Sequence, residues 1–481
     1  MFESWMQYIN LGWIYYVFWT VYFATVITII GVIISENRNP VKSLAWVTVL
    51  FLLPIVGIVL YLFFGRSIKN TRMISRRNRR RLKRKERAAP VRIRHLDLST
   101  ESRQQIYLAR SLTGAHVYVG NEVEIFGDGA SKFESLKRDL RAATSYIHMQ
   151  YYIFEDDTIG CEIRDILIER ARAGVAVRLI YDHVGSFKVR RSFFREMKEA
   201  GILAYPFFKV SFPPFGTRIN WRNHRKIVVI DGRVGYIGGM NIADRYIDGG
   251  KFGCWRDTHL RVTGSVVSSL QYSFAVDWHF MGQPLIADDP AGPVTPAGPD
   301  VYMQHLTSGP TSQWSNIAYV FHKAISNAKR RVYIQTPYFL PTEGLLKALQ
   351  TAALSHVDVR IMIPRRGDSA MLSYATASYI SECLRAGIKI YMYEPGMLHA
   401  KTIVVDDEFS SVGSTNFDFR SFEHNFESNM FMYSREVNAR LTAMFREDMK
   451  QSTRIRPEEW HRRPLIKKSI ESILRLLSPI L

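Results

Sequence analysis

Two stretches of the chain carry the same pattern of reactive side chains. One runs His224-Arg225-Lys226-Ile227-Val228-Val229-Ile230-Asp231, the other His399-Ala400-Lys401-Thr402-Ile403-Val404-Val405-Asp406. Both read H-x-K-x-x-x-x-D. An asparagine follows each histidine by 17 residues: Asn241 in Gly238-Gly239-Met240-Asn241 and Asn416 in Gly413-Ser414-Thr415-Asn416. With 13 histidines in the chain and Lys and Asp at ~6% each, chance supplies roughly 0.05 such matches. Two copies in register, with the same downstream residues, are a repeat.

The β-branched run after each histidine reads as a strand, in which residues i and i+2 share a face. His224 then points with Lys226, and His399 with Lys401. Asp231-Gly232 turns the first strand back into Val234–Ile237 as a hairpin. Two such faces, meeting, place two imidazoles and two ammonium groups around one phosphodiester. A neutral imidazole, with an ordinary pKa of ~6.5, is a nucleophile toward phosphorus near neutral pH. A second, protonated imidazole can supply a proton to the departing alkoxide. Lys226, Lys401, Asn241, Asn416 and Ser414 are candidate donors to the phosphoryl oxygens. A carboxylate on the far ring nitrogen would fix each tautomer and stabilise the imidazolium. Asp231 and Asp406, at strand-end turns, are expected to be structural. The scheme needs no metal and no other cofactor. A lysine sharing the histidine's face would repel a bound cation.

The elements around the motifs repeat as well. Residues 145–154 and 331–339 are β-rich, each followed by a helix-period segment (160–173 and 343–355) and a short apolar strand (175–180 and 357–362). A strand–helix–strand order of this length predicts βαβ units and an α/β fold in two repeats, 106–283 and 301–455. Between them, 284–300 is rich in Pro and Gly and reads as a linker. Residues 456–481 form a C-terminal amphipathic segment, with Ile466, Ile470, Ile473, Leu474 and Leu477 at helical spacing. It fits either a membrane-interfacial helix or a packed terminal helix. Residues 207–222 mix aromatic and basic side chains just before His224, fitting either a domain-packing loop or a lip that admits acyl chains.

Composition narrows the partner. Lys+Arg 64 against Asp+Glu 44 leave a net charge of +20, which calls for an anionic partner. Twelve basic residues and one acid fall within 66–87, so the basic linker 71–105 holds much of the excess. That stretch follows two runs without any charged residue, Leu11–Ser35 and Leu44–Gly65. Each is long enough for a helix to cross the hydrocarbon core, at about 20 residues. The expectation is a two-helix transmembrane hairpin over 1–70, with helices about 11–35 and 44–65. Residues 1–10 carry no Lys or Arg and the connecting loop 36–43 only two. The positive-inside rule then puts everything after Gly65 on the cytoplasmic side of a multi-pass protein in the cell membrane. Charge beside membrane helices favours anionic lipid over nucleic acid. Three cysteines, Cys161, Cys254 and Cys383, in no C-x-x-C pair argue against a disulfide scaffold or a zinc ribbon.

The doubled motif resembles the phospholipase D superfamily, in which each half of a two-repeat α/β fold gives one H-K-D motif to a shared site. The resemblance covers about 110–450, and in the second copy Arg420, Ser421, Asn425 and Glu427 extend it. Asn39-Pro40, Met397-Leu398-His399-Ala400-Lys401, Arg463-Pro464 and Leu476-Leu477-Ser478-Pro479 bring it closer to the bacterial cardiolipin synthases. The resemblance implies phosphatidyl transfer between two phosphatidylglycerol molecules through a phosphohistidine, with mixed sheets in each half. It favours His224 as nucleophile and His399 as acid, and pairs Glu427 with His399. Asp257, in Trp255-Arg256-Asp257, is then taken as the partner of His224. Phosphatidylethanolamine or water fits the same site as acceptor, the latter giving a phospholipase D-type phosphodiesterase.

Overall fold

The computed structural model describes residues 11–35, 40–53, 55–65, 68–69, 71–85, 93–210, 220–286 and 301–478. Residues 211–219 of the stretch 207–222, which fits either a domain-packing loop or a lip, and the linker from residue 287 on lie outside the described residues.

Leu11–Ser35 forms one helix of 25 residues, and its stretch Trp13–Ile34 is long and apolar enough to cross a membrane. The second run does not. It makes a helix over Pro40–Leu52, a short helix over Val56–Leu60 and a π-turn over Tyr61–Gly65. Thirteen helical residues span only about 20 Å, short of a ~30 Å hydrocarbon core. The expected two-helix hairpin is therefore corrected to a single spanning-length helix among the described residues. The interruption coincides with Pro54 in the sequence, a residue with no amide hydrogen to continue a helix ladder. Tyr22 donates its hydroxyl to the Leu50 carbonyl at 2.9 Å, and Val26, Ile33 and Tyr61 are buried with it.

The rest of the chain holds two sheets with matching strand orders. Among the described residues, the first sheet runs Asn121–Phe126, His259–Gly264, Val234–Gly238, Ile227–Ile230, Tyr146–Tyr151, Ala176–Asp182, Leu203–Phe207. The second runs Tyr302–Ser308, Glu427–Tyr433, Phe409–Gly413, Thr402–Val405, Arg331–Gln335, Asp358–Pro364, Lys389–Tyr393, with Ser452–Arg454 added at the edge. Each is mixed. Tyr146–Tyr151 pairs parallel with Ala176–Asp182 and antiparallel with Ile227–Ile230. Arg331–Gln335 stands in the same relation to Asp358–Pro364 and Thr402–Val405. The helices Thr158–Arg172 and Glu343–Leu354 supply the crossovers, as a parallel pair requires.

Alternation along the motif strands explains why both faces are covered. Val228 and Ile230 turn into the core beneath the first half's helices, with Leu167 and Val177. Ile227 and Val229 turn the other way, into a cluster that also takes Val404, Val412 and Met430 from the second sheet. The two sheets thus pack on each other through the backs of their motif strands. Full burial of each such side chain contributes roughly 1.5–3 kcal/mol. The C-terminal helix Leu465–Leu476 packs on the second half along one side and leaves apolar residues exposed on the other. Leu474 packs on the second half's core and Arg475 pairs with Glu382 at 2.5 Å, while Leu465, Ile466, Ile473 and Leu476 are exposed.

Candidate active site

The motif strands begin later than their sequence suggests, at Ile227 and Thr402. Each histidine stands just before, where the chain leaves a crossing segment. Asn223 makes a parallel bridge with Phe426, through His224 N–H to Phe426 O (2.9 Å) and Phe426 N–H to Arg222 O (2.9 Å). Met397–Leu398 pairs in parallel with Trp255–Arg256, and His399 N–H donates to Arg256 O at 2.7 Å. Each half therefore lends a short strand to the other immediately before its histidine.

That exchange decides which carboxylate meets which imidazole. Glu427 follows Phe426 and reaches His224, whose Nδ1 lies 3.0 and 3.2 Å from its two carboxylate oxygens. Asp257 follows Arg256 and reaches His399, with Nδ1 to Oδ2 at 2.6 Å. The expected pairing is thus reversed: Glu427 holds His224 and Asp257 holds His399. Both carboxylates are fully buried. Nearby cationic groups and hydrogen bonds hold both below the usual carboxylate range, against burial that pushes them up.

Both imidazoles line one cavity of about 510 Å³. Burial pushes the His224 imidazole below its usual value, Glu427 opposing and Lys226 adding to the shift. Burial, with Lys401 alongside, pushes His399 to about 4. Lys226 donates to the His224 carbonyl at 2.6 Å. Lys401 donates to the His399 carbonyl, and its Nζ lies 2.8 Å from His399 Nδ1. Burial lowers the two lysines to about 7 and about 8. The imidazoles line the cavity while the two lysines are buried beside them, where an anion nearby would favour their charged forms.

The remaining expected residues separate. Asn416 lines the cavity, and its side-chain oxygen is buried without a partner. Asn241 also lines it, but is committed, accepting from Ile153 N–H at 3.1 Å and donating to Tyr246 Oη at 2.5 Å. Ser414 was expected to donate toward phosphate. Instead its hydroxyl donates to Glu427, and its carbonyl lies 3.1 Å from His224 Nδ1. Asp231 accepts from the N–H groups of Thr144, Ser145 and Tyr146 at 2.8 Å, and Asp406 from those of Lys329, Arg330 and Arg331 at 2.8–3.3 Å. Both sit at left-handed turns, with φ 50 and 48. They tie each motif hairpin to the start of its neighbouring strand and do not line the cavity.

Other cavity residues carry no repeated signal. Arg222, Arg245 and Arg420 bring positive charge, Asp368 and Asp418 negative, and Tyr152, Tyr246, Trp255 and Tyr338 form walls. The Tyr152 ring meets His224 edge-on at 5.1 Å, and Trp255 lies 5.3 Å from His399. Of these only Arg420 was marked by its position in the longer pattern. Among the described residues, no group of three or more His, Cys, Asp or Glu side chains is placed to hold a metal.

Comparison with known proteins agrees with this geometry. A family model described as "Cardiolipin synthase, PLD-like domain" matches residues 136–251 and 321–449, and one described as "Phospholipase_D-nuclease N-terminal" matches 22–66. The chain is 42% identical to the major cardiolipin synthase ClsA of Bacillus subtilis (strain 168), over 94% of this chain and 96% of that one. It is 40% identical to the cardiolipin synthase of Geobacillus kaustophilus (strain HTA426), over 95% and 92%. A phosphatidylserine synthase from Haemophilus influenzae Rd KW20 shares the fold, with a TM-score of 0.57 and 14% identity over 75% of this chain and 95% of that one. With this doubled motif, matching halves and near-full-length similarity, the chain belongs to the bacterial cardiolipin synthases, phosphatidyltransferases of the phospholipase D superfamily.

Proposed function

We propose that His224 and His399 work as nucleophile and acid on one phosphatidylglycerol, and that a second phosphatidylglycerol is the acceptor. The observation that carries this reading is that both imidazoles line one cavity, each with a buried carboxylate of the other half at Nδ1. With Nδ1 so engaged, Nε2 of His224 is free to attack phosphorus. The phosphorus–oxygen bond to the headgroup glycerol breaks, and that oxygen takes a proton from His399. Glycerol leaves, and a phosphatidyl-histidine remains. The headgroup hydroxyl of the second phosphatidylglycerol then passes its proton to His399 and attacks phosphorus. The phosphorus–nitrogen bond breaks, giving cardiolipin. One phosphodiester replaces another, so the exchange is reversible. Lys226 and Lys401 stabilise the charge on the non-bridging oxygens.

The single spanning-length helix fits membrane anchoring, and the basic residues after it favour the cytoplasmic face for the catalytic halves. Anionic headgroups attract that segment by about 1 kcal/mol per basic residue near the surface.

The test is product analysis. Purified protein in liposomes receives headgroup-labelled phosphatidylglycerol with a chelator present, and His224→Ala serves as control. The expected products are cardiolipin and free labelled glycerol in equal amounts, both lost in the variant. Phosphatidic acid with glycerol would make water the acceptor and overturn the transfer step.

A further inference from the structure

A second basic cleft, with no residue in common with the catalytic cavity, lies beneath the helix Arg76–Lys85. Its volume is about 330 Å³, within the ~300–1,000 Å³ range of small-molecule sites. Arg79 and Lys83 form one wall. They are held there by bonds to the carbonyls of Thr113 (3.2 Å) and Gly114 (3.1 Å), at the end of the helix Thr100–Thr113. The helix Val267–Phe280 also lines the cleft, through Ser269 and Ser273 among others. These two serines are one turn apart and so share a face. Both hydroxyls are buried, and neither has a hydrogen-bond partner among the described residues. Among the described residues, no carboxylate lines the cleft.

An unmatched buried hydroxyl is costly, and two of them lining one cleft with two cations are matched together by an oxygen-rich anion. Arg79 also borders two adjoining clefts, one with Arg76 and Arg80, the other with Arg72. The positive lining therefore continues outward along the basic segment. We propose that this cleft binds a phosphate group, as the headgroup of an anionic phospholipid that is not turned over. Arg225 lines the cleft, while its neighbour His224 lines the catalytic cavity. Arg225 also bonds the Glu427 carbonyl at 3.1 Å and Asp277 at 2.5 Å. Occupancy is thus one residue away from the candidate nucleophile and its carboxylate.

The full-length chain carrying His224→Ala, which stops turnover, is titrated in detergent with phosphatidylglycerol, phosphatidylcholine or inorganic phosphate. Native mass spectrometry counts what is bound. Adding Arg79→Gln and Lys83→Gln together removes one bound phosphatidylglycerol and leaves phosphatidylcholine counts unchanged. Ser273→Leu, which fills the cleft from the helix Val267–Phe280, removes the same one, and thermal melting shows each variant folded. Equal phosphatidylglycerol counts in the parent and both variants overturn the lipid assignment. If inorganic phosphate binding alone is lost in them, the cleft takes free phosphate instead. If neither is lost, it is not a phosphate site.

Discussion

The two halves present their histidines in settings built alike but tuned differently. His224 meets both oxygens of Glu427, and that carboxylate also receives the Ser414 hydroxyl and, at 3.4 Å, the Asn425 amide. His399 meets a single oxygen of Asp257, at 2.6 Å, with the Lys401 ammonium against the same ring nitrogen. Both lysines donate to their own histidine's carbonyl, but Lys226 lies 5.6 Å from the Tyr152 ring where Lys401 reaches the imidazole nitrogen. A cation at Nδ1 disfavours the imidazolium of His399, so its protonation waits for an anion in the cavity. Duplicated motifs therefore do not make equivalent sites. After burial, the largest influence at His224 is Glu427, which opposes the loss of the proton, and at His399 it is Lys401, which adds to it.

The largest effect that sharpens this contrast comes from the histidines themselves. His224→Ala is expected to lower turnover by about 10⁴-fold with any leaving group, because the covalent intermediate is lost. His399→Ala should lose about 10²–10⁴-fold on phosphatidylglycerol, yet recover most of it on a nitrophenyl phosphodiester, whose leaving group needs no proton. Equal losses of both variants on both substrates would break the assignment.

Next come the carboxylates. Glu427→Gln and Asp257→Asn should each cost about 10²–10⁴-fold in kcat by leaving an imidazole misoriented. Only Glu427→Gln should prevent trapping of the phosphatidyl-histidine in acid-quenched samples. If Asp257→Asn is the one that prevents it, the two histidines exchange roles.

The pH profile gives a smaller contrast. The His224 imidazole is lowered from 6.5, so its neutral, nucleophilic form persists below that pH and the acid limb lies there. Raising pH through about 7 and about 8 discharges Lys226 and then Lys401, and kcat/KM should fall by about tenfold per unit once one proton is lost. Lys226→Met should remove the lower step and leave the upper. An unchanged profile would reject the assignment of that step to Lys226.

Where Glu427 accepts from the Ser414 hydroxyl, Asp257 accepts from the Thr258 N–H at 2.7 Å, and Ser414→Ala should cost about 3–10-fold, the worth of one hydrogen bond. Asp231→Asn and Asp406→Asn should act on stability in both halves alike. A loss of about 1–3 kcal/mol in denaturant unfolding is expected, with turnover of the folded enzyme little changed. A large kcat loss without destabilisation would make these carboxylates part of the chemistry.

Local order accounts for what was legible in the chain. The H-x-K-x-x-x-x-D pattern, the following asparagine and the strand–helix–strand units each lie within a few dozen residues. Alternating apolar side chains and β-branched runs suffice to mark them. The Asp231-Gly232 turn is legible for the same reason, since φ 50 and 64 are conformations that Asp tolerates and Gly adopts freely. The second apolar run shows how such reading fails. Its composition passes a length test that the helix end at Leu52 and the restart at Val56 then defeat, because composition counts residues and not continuous hydrogen bonds.

Only the tertiary structure decided which carboxylate serves which histidine. Glu427 is 28 residues from His399 and 203 from His224, yet it bonds the distant one. Asp257 passes over its near neighbour His224 for His399 in the same way. The reason is the exchange of strands, Asn223 with Phe426 and Met397–Leu398 with Trp255–Arg256, which carries each carboxylate across to the other half. The six motif residues could be found from the chain alone because each copy is local. Their partners could not, because backbone pairing between halves, with no trace in either local pattern, brings them together.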